Sequence, residues 1–441
     1  MLTLINSTFP KYLILFRDCS FHITMKFGAA AFVVAAGSSR NSGPRPCLVA
    51  THLAALPVVF HHGSEIQTID GVLGRSALSA GIREFLVPSA FAADNAAPKP
   101  PTNAEVKLLQ DALGAVYGER NPEKGVELLS QAITAWERQN PDEKAALYRV
   151  RGDSYLSLVR LEEASKDYTT TIELLNKPGA LELADPGELP AAYLGRARSM
   201  RAQSLTGNGV LSQGQWSEVS KDYQMALRLS SREDWDTEAE REEDGAQRNP
   251  YAAWEWGMAK RNAGDSIGAS ETHSLAAFAF KDIGDKPRSA IAALDAGIDL
   301  AGTDKVKETK ELLENAIKST VAVEGSDVEL LQRVIAKEGE ARIALASVLW
   351  GANDKSGAEA ELGEACVRLD QLDADAEARE AARLRGGKLL QNINKATFSI
   401  DDIAGAGRVS CSRFKNEKFL TEKLEWPESL QKKVQKLNKL G

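Results

Sequence analysis

"ASKDY" at 164–168 and "VSKDY" at 219–223 place the same four residues, Ser-Lys-Asp-Tyr, in the chain twice, fifty-five residues apart. In both copies a small or branched apolar residue precedes the Tyr by four, and apolar positions follow in "DYTTTIEL" and "DYQMALRL". On a helix that spacing puts Ala164 with Tyr168, and Val219 with Tyr223, on one face. The Ser, Lys and Asp between them are expected to face outward. One helix type used twice is the mark of a repeat.

From about residue 102 onward the pattern is helical, with no alternating strand run of consequence. Gly and Pro fall between helices, as in "ERNPEK", "QNPDEK", "NAGDS", "DIGDKP" and "EWPES". The segment 145–171 can be laid on the two-helix tetratricopeptide pattern, whose period is about 34 residues. Tyr148 takes the large first-helix position, Gly152 the small one and Tyr155 the next aromatic, and Ala164 and Tyr168 take the second-helix positions. Small residues there let antiparallel helices approach, and large ones fill the space to the next pair. On these residues the segment resembles a tetratricopeptide repeat.

The next copy supplies Tyr193, Ala197 and Met200, then Val219, Tyr223 and Ala226. Two loop insertions, "GALELADPGEL" and "TGNGVLSQGQ", account for the stretched spacing between the Ser-Lys-Asp-Tyr copies. A third copy carries Gly257, Gly264, Ala269 and Ala276, with His273 where the others have Tyr; it reads as a packed repeat residue rather than a ligand. A fourth carries Ala346, Leu349, Ala358, Leu362 and Ala365, with Cys366 beside them read as a small core residue. Residues 103–140 and 287–323 keep the amphipathic rhythm but lose several signature positions. Five to six hairpins are expected, in an all-α, right-handed, tetratricopeptide-like solenoid with a short irregular and helical C-terminal tail.

The organisation that follows is a targeting presequence at 1–92, a linker at 93–101, repeats at 102–372 and a C-terminal helical extension at 373–441. Within the repeats, "EDWDTEAEREED" at 233–244 has eight acids and one Arg and reads as a solvated loop. The front has no Asp or Glu from Cys19 to Ser64, the profile of an organelle transit sequence. "MKFGAAAFVVAAGSS" from Met25 reads as a signal peptide in its own right, leaving Met1 or Met25 as the start. Ala90-Phe91-Ala92 offers an A-x-A cleavage site before a Pro-rich linker. This composite address resembles that of thylakoid-targeted proteins of plants and algae, and the tail resembles one found on some tetratricopeptide-like plastid proteins. Arg83 and Glu84 interrupt the apolar run before the junction, so a stromal destination stays open beside the thylakoid lumen.

Charge narrows the partners. Residues 1–92 carry seven Lys/Arg against four Asp/Glu, so the rest of a chain of net −8 is strongly acidic. An acidic body argues against nucleic acid, which is bound by neutralising phosphates. Of five histidines only His273 lies beyond residue 62, which argues against a His-paired metal site. Beyond the presequence only Cys366 and Cys411 remain, without a CxxC motif, and no disulfide framework is expected. Asp295 and Asp299 share a helix face at a spacing of four and read as a solvated pair. "GAGR" at 405–408 lacks the context of a dinucleotide loop, and neither a nucleophile elbow nor a phosphate loop is present. No catalytic residue, cofactor or metal is expected.

The resemblance implies a binding groove lined by the outward positions of the first helices. Carried onto this chain these are Arg149, Asp153, Arg198, Arg201, Trp254, Met258, Arg261 and Asn262. Four arginines and a Trp suit a protein client with acidic and apolar groups. The Lys/Asn set with which some tetratricopeptide proteins clamp a terminal carboxylate is not matched. The reading is a non-enzymatic plastid scaffold that aids assembly or maintenance of a photosynthetic membrane complex, without a transmembrane span in the mature chain; peripheral membrane association stays open. The alternatives are a carboxylate-based enzyme or metal-binding repeat protein, and a structural subunit whose groove is filled by its own tail.

Overall fold

The computed structural model describes residues 101–135, 140–205, 211–231, 236–323, 327–385 and 410–438. The presequence, the linker up to residue 100 and the "GAGR" stretch lie outside these residues. Among the described residues there is no strand, and fourteen α-helices follow one another. They are α1 (Asn103–Leu113), α2 (Pro122–Ala135), α3 (Pro141–Ser157), α4 (Leu161–Leu175), α5 (Glu188–Leu205), α6 (Gln213–Ser230) and α7 (Glu238–Arg248). Then come α8 (Pro250–Asn262), α9 (Ser266–Asp282), α10 (Lys286–Ala301), α11 (Val306–Thr320), α12 (Val328–Gly351), α13 (Lys355–Arg385) and α14 (Glu428–Asn438). Paired as α1/α2, α3/α4, α5/α6, α8/α9, α10/α11 and α12/α13, they form stacked hairpins, each packed on the next. The architecture is an all-α helical-hairpin solenoid.

Local chemistry sets the ends of these helices. Thr102, Ser212 and Thr237 each close a capping box with the Glu or Gln three residues on. Four helix-to-helix turns share one geometry: a residue with positive φ, then the N-cap of the following helix. These residues are Val159 (φ 57°), Gly264 (86°), Gly284 (82°) and Asn353 (66°). In each, the following N–H reaches back to a carbonyl five residues earlier, from Arg160, Asp265, Asp285 and Asp354 at 2.8–3.0 Å. That is the helix-terminating arrangement that glycine favours. Val159 adopts it with a branched side chain, which the left-handed region disfavours.

The small-against-large rule holds where it was read. A Cβ on Gly152 would sit 3.1 Å from the Tyr168 ring, and one on Gly257 would sit 2.5 Å from the His273 ring. Ala164, Tyr168, Ala197, Tyr223, Ala226 and Ala269 are buried. Tyr168 is also pressed by Gly195 of the next hairpin, closer than by Gly152. The same pairing recurs in the divergent hairpin α10/α11, where Gly297 faces Leu313 at the same sequence offset. Tyr148, Tyr155 and Tyr193 are only half-buried. They serve as platforms: Arg151 lies over Tyr148 and Tyr155 at 5.2 and 5.6 Å, and Arg196 over Tyr193 at 5.6 Å.

Two regions depart from the sequence reading. The acidic stretch expected as a loop is helical from Glu238, because Thr237 caps it and basic side chains draw its acids in. Arg228 meets Glu238 and Glu242 at 3.0 and 2.5 Å, and Gly245 lets α7 lie against the backbone of Leu227 on α6. At the other end, α13 continues past residue 372 to Arg385. Phe414, Phe419 and Trp426 form an aromatic cluster with ring centroids 5.5–5.6 Å apart. With Leu430 and Val434 they join the apolar core of α10 to α13. Lys433 donates to the carbonyls of Ala301 and Thr303 at the end of α10, at 2.9 and 2.5 Å. The tail is thus a cap on the last hairpins. Cys366, read as a small core residue, is bonded to Cys411 of that cap, against the expectation of no disulfide.

Candidate functional site

The repeated Asp of Ser-Lys-Asp-Tyr does not face outward. Asp167 and Asp222 are 4% and 5% exposed, and each accepts two hydrogen bonds from one guanidinium of its hairpin partner. Arg151 meets Asp167 at 2.7 and 2.8 Å, and Arg196 meets Asp222 at 2.6 and 2.7 Å. Both arginines stand one residue before the small Gly152 or Ala197. A helix face is wide enough to admit an aspartate beside the apolar stripe once a cross-helix Arg satisfies it. Lys166 and Lys221, by contrast, are exposed as expected.

The eight expected groove residues are brought onto the first helices of successive hairpins, but most are buried rather than presented. Arg149 is 6% exposed; it binds Asp153 at 2.6 Å and Glu188 at 2.5 and 3.1 Å, while the Tyr168 hydroxyl donates to Asp153 at 2.7 Å. Arg198 donates to Glu255 at 2.8 Å. Arg201 lies 3.7 Å from the same carboxylate and donates to the Met258 thioether at 3.2 Å. Asn262 donates to the Met258 carbonyl of its own helix at 3.1 Å. Trp254 and Met258 are buried, so the Trp is no surface anchor.

Between α8, α9, α10 and α12 the charges of Arg261, Asp295, Asp299 and Glu340 are sealed from water, while Lys337 keeps part of its side chain exposed. Arg261 pairs with Asp299 and, at 2.9 Å, with Asp295. The Trp254 indole donates to Asp295 at 3.0 Å, and Lys337 stands 3.4 Å from it and 2.7 Å from Glu340. His273 Nδ1 lies 2.5 Å from Asp299 and, facing a carboxylate, is the donor. Asp295 and Asp299, expected as a solvated pair, are 1% and 0% exposed. Burial pushes the Asp295 carboxyl upward, but Lys337 and Arg261 overcome this and hold it well below the usual carboxylate range. The Arg261 guanidinium, despite burial, is driven above its ordinary value by the two aspartates.

A sequence signal for this spine existed. Arg201 and Arg261 each stand four residues after the small residue of one first helix, Ala197 or Gly257. Their carboxylates, Glu255 and Asp295, each stand two residues before the small residue of the next, Gly257 or Gly297. Spacing of acids and bases across hairpins, rather than along one helix, reveals the pairs. The described residues include no group of three or more His, Cys, Asp and Glu arranged to hold a metal ion. Nor, among them, is any helix long and apolar enough to cross a membrane.

No family model and no curated protein matches the chain. Among solved structures it is similar to BtubC (BKLC) from P. vanneervenii, at 16% identity and a TM-score of 0.38, covering 64% of this chain and 93% of that one. It is also similar to a circular tandem repeat protein with novel repeat topology, at 16% identity and a TM-score of 0.25, covering 76% of this chain and 83% of that one. Neither likeness is close enough to assign a function.

Proposed function

We propose that this chain is a non-enzymatic, tetratricopeptide-like scaffold that binds another protein in the plastid and aids assembly or maintenance of a photosynthetic membrane complex. The observation that carries the binding part is the Arg198–Arg201–Glu255 cluster, where two guanidiniums converge on one carboxylate. The Arg198 and Glu255 side chains keep 21% and 17% of their surface open to water, unlike the sealed Arg261–Asp295 pair. Guanidinium edges held in place by a neighbour are suited to a client's acidic groups. The enzyme alternative has less support, because Asp295, Asp299 and His273 are fully buried against Arg261 and Lys337. The plastid assignment is supported by the acid-free front and the Ala90-Phe91-Ala92 junction. The photosynthetic role draws only on resemblance to other plastid repeat proteins.

Reversing Arg198 alone is expected to cost stability as well as binding, since Glu255 loses its nearer partner. The test is therefore the charge swap Arg198→Glu with Glu255→Arg, which restores the pair with reversed polarity. Client cross-linked to the native protein in isolated plastids, then purified, should bind the swap about tenfold or more weakly while melting is unchanged. A swap that binds like the native protein would place docking on another face. N-terminal sequencing of the native protein should begin near Ala93; a start before residue 60 would leave the stromal destination.

A further inference from the structure

Cys366 and Cys411 are the two cysteines among the described residues, and they are bonded across a sequence separation of 45. Their Cα atoms are 4.8 Å apart, within the span a disulfide accepts. Neither residue is sealed in: both are half-buried, Val367 beside Cys366 is 68% exposed, and Ser412 beside Cys411 is exposed. The bond joins α13 to the first turn of the cap. Beside the bond, the Cys411 N–H donates to the Asp370 side chain at 2.9 Å, and Phe414 is buried in the core. Farther on, α14 has its own anchors in Leu430, Val434 and the Lys433 and Ser429 contacts at the end of α10. The bond is thus the covalent tie between the front of the cap and α13, beside the core packing of Phe414, Phe419 and Leu420.

We propose that Cys366–Cys411 is a thiol–disulfide exchange site, through which a dithiol reductant sets whether the front of the C-terminal cap is fixed to the last hairpin. One thiolate of the dithiol attacks a sulfur of the bond, forming a mixed disulfide and releasing the other cysteine as a thiolate, which takes up a proton. The second thiol of the dithiol then closes on the mixed disulfide and frees the remaining cysteine. The dithiol gives up two electrons and two protons and becomes a disulfide; Cys366 and Cys411 become thiols. Reoxidation by a disulfide of higher potential runs the same steps in reverse. Both cysteines keep part of their surface in water, which gives the attacking thiolate its access.

The full chain, equilibrated at neutral pH with graded mixtures of reduced and oxidised dithiothreitol and then alkylated, gives the test. Peptide mass mapping should find Cys366 and Cys411 titrating together from bonded to alkylated while the helical circular dichroism stays native. Hydrogen exchange of amides 411–423 should then quicken by about tenfold or more, with α3–α9 unchanged, and should slow again on reoxidation. Cys366→Ser should show the fast exchange whether or not dithiol is present; should that variant fail to fold, the reduced native chain supplies the same reading. A bond that forms no alkylatable thiols until the protein unfolds would overturn the proposal. So would an absent bond, or cap exchange that is the same in both redox states.

Discussion

The two Ser-Lys-Asp-Tyr hairpins and the region around Asp295 use one device, a guanidinium on a carboxylate, in two settings. In the hairpins the pairs Arg151–Asp167 and Arg196–Asp222 lie within a repeat, and the arginines keep 16% and 23% of their side-chain surface in water. Around Asp295 the pairs lie between repeats and exposure falls to 2% or less for Arg261, Asp295 and Asp299. Water can take over from a lost partner in the first setting and cannot in the second. The same contact is therefore a modest tie in one place and an obligatory one in the other.

Asp299→Ala should break this comparison open most strongly. It takes one of the two carboxylates from Arg261 in a dry site and removes the partner of His273, so a loss of about 3–5 kcal/mol is expected in urea unfolding. A loss no larger than that of Asp167→Ala would mean that the region is as wet as the hairpins. Overpacking comes next. Gly152→Leu should cost about 1–3 kcal/mol, and Gly195→Leu more, because the Tyr168 ring stands nearer to Gly195. Equal melting shifts would show that the two glycines do not share that ring.

Within the hairpins, Asp167→Ala should cost about 1.5–3 kcal/mol, while its neighbour Lys166→Ala should change stability by no more than about 0.5 kcal/mol. Similar values for the two would return the Asp to the outer face. Val159→Gly should stabilise by about 0.5–1 kcal/mol, relieving the branched side chain at φ 57°. The smallest effect concerns pH at the start of α3. Burial, with Asp142 beside it, raises the Glu143 carboxyl to about 7. The folded state then holds its proton more tightly than the unfolded one, so stability is full below the ordinary glutamate range and falls as pH rises through about 7. Glu143→Gln should raise the melting temperature at pH 8 and leave it nearly unchanged at pH 4. Asp295 has the opposite sign, and its contribution is lost only as pH falls below the usual carboxylate range.

Much of the fold was legible because it is written along single helices. Gly152 and Tyr168, Gly257 and His273, and the Gly-Asp turns at 264–265 and 284–285 announce helix contacts and helix ends through local spacing. The candidate site was less legible. Trp254 and Arg261 were expected on an open wall and lie against Asp295 instead. Asp295 and Asp299 looked solvated because their partners, Arg261, His273 and Lys337, sit on three other helices. Cys366 met Cys411 because the tail folds back on α13, which no spacing of two cysteines announces.

By itself, then, the sequence determined that this chain is a row of helical hairpins, which residues seat each helix on its partner, and where the turns fall. Those properties depend on periodicity and on small or turn-forming residues, and both act over a few positions of one chain segment. Only the tertiary structure decided which charged side chains are buried, whom they pair with and what the tail covers. A helical period tells how a side chain points relative to its own axis. It does not tell which opposite charge stands across the next helix, or whether water reaches the gap, and for Asp167, Asp222, Asp295 and Asp299 those two facts are the ones that matter.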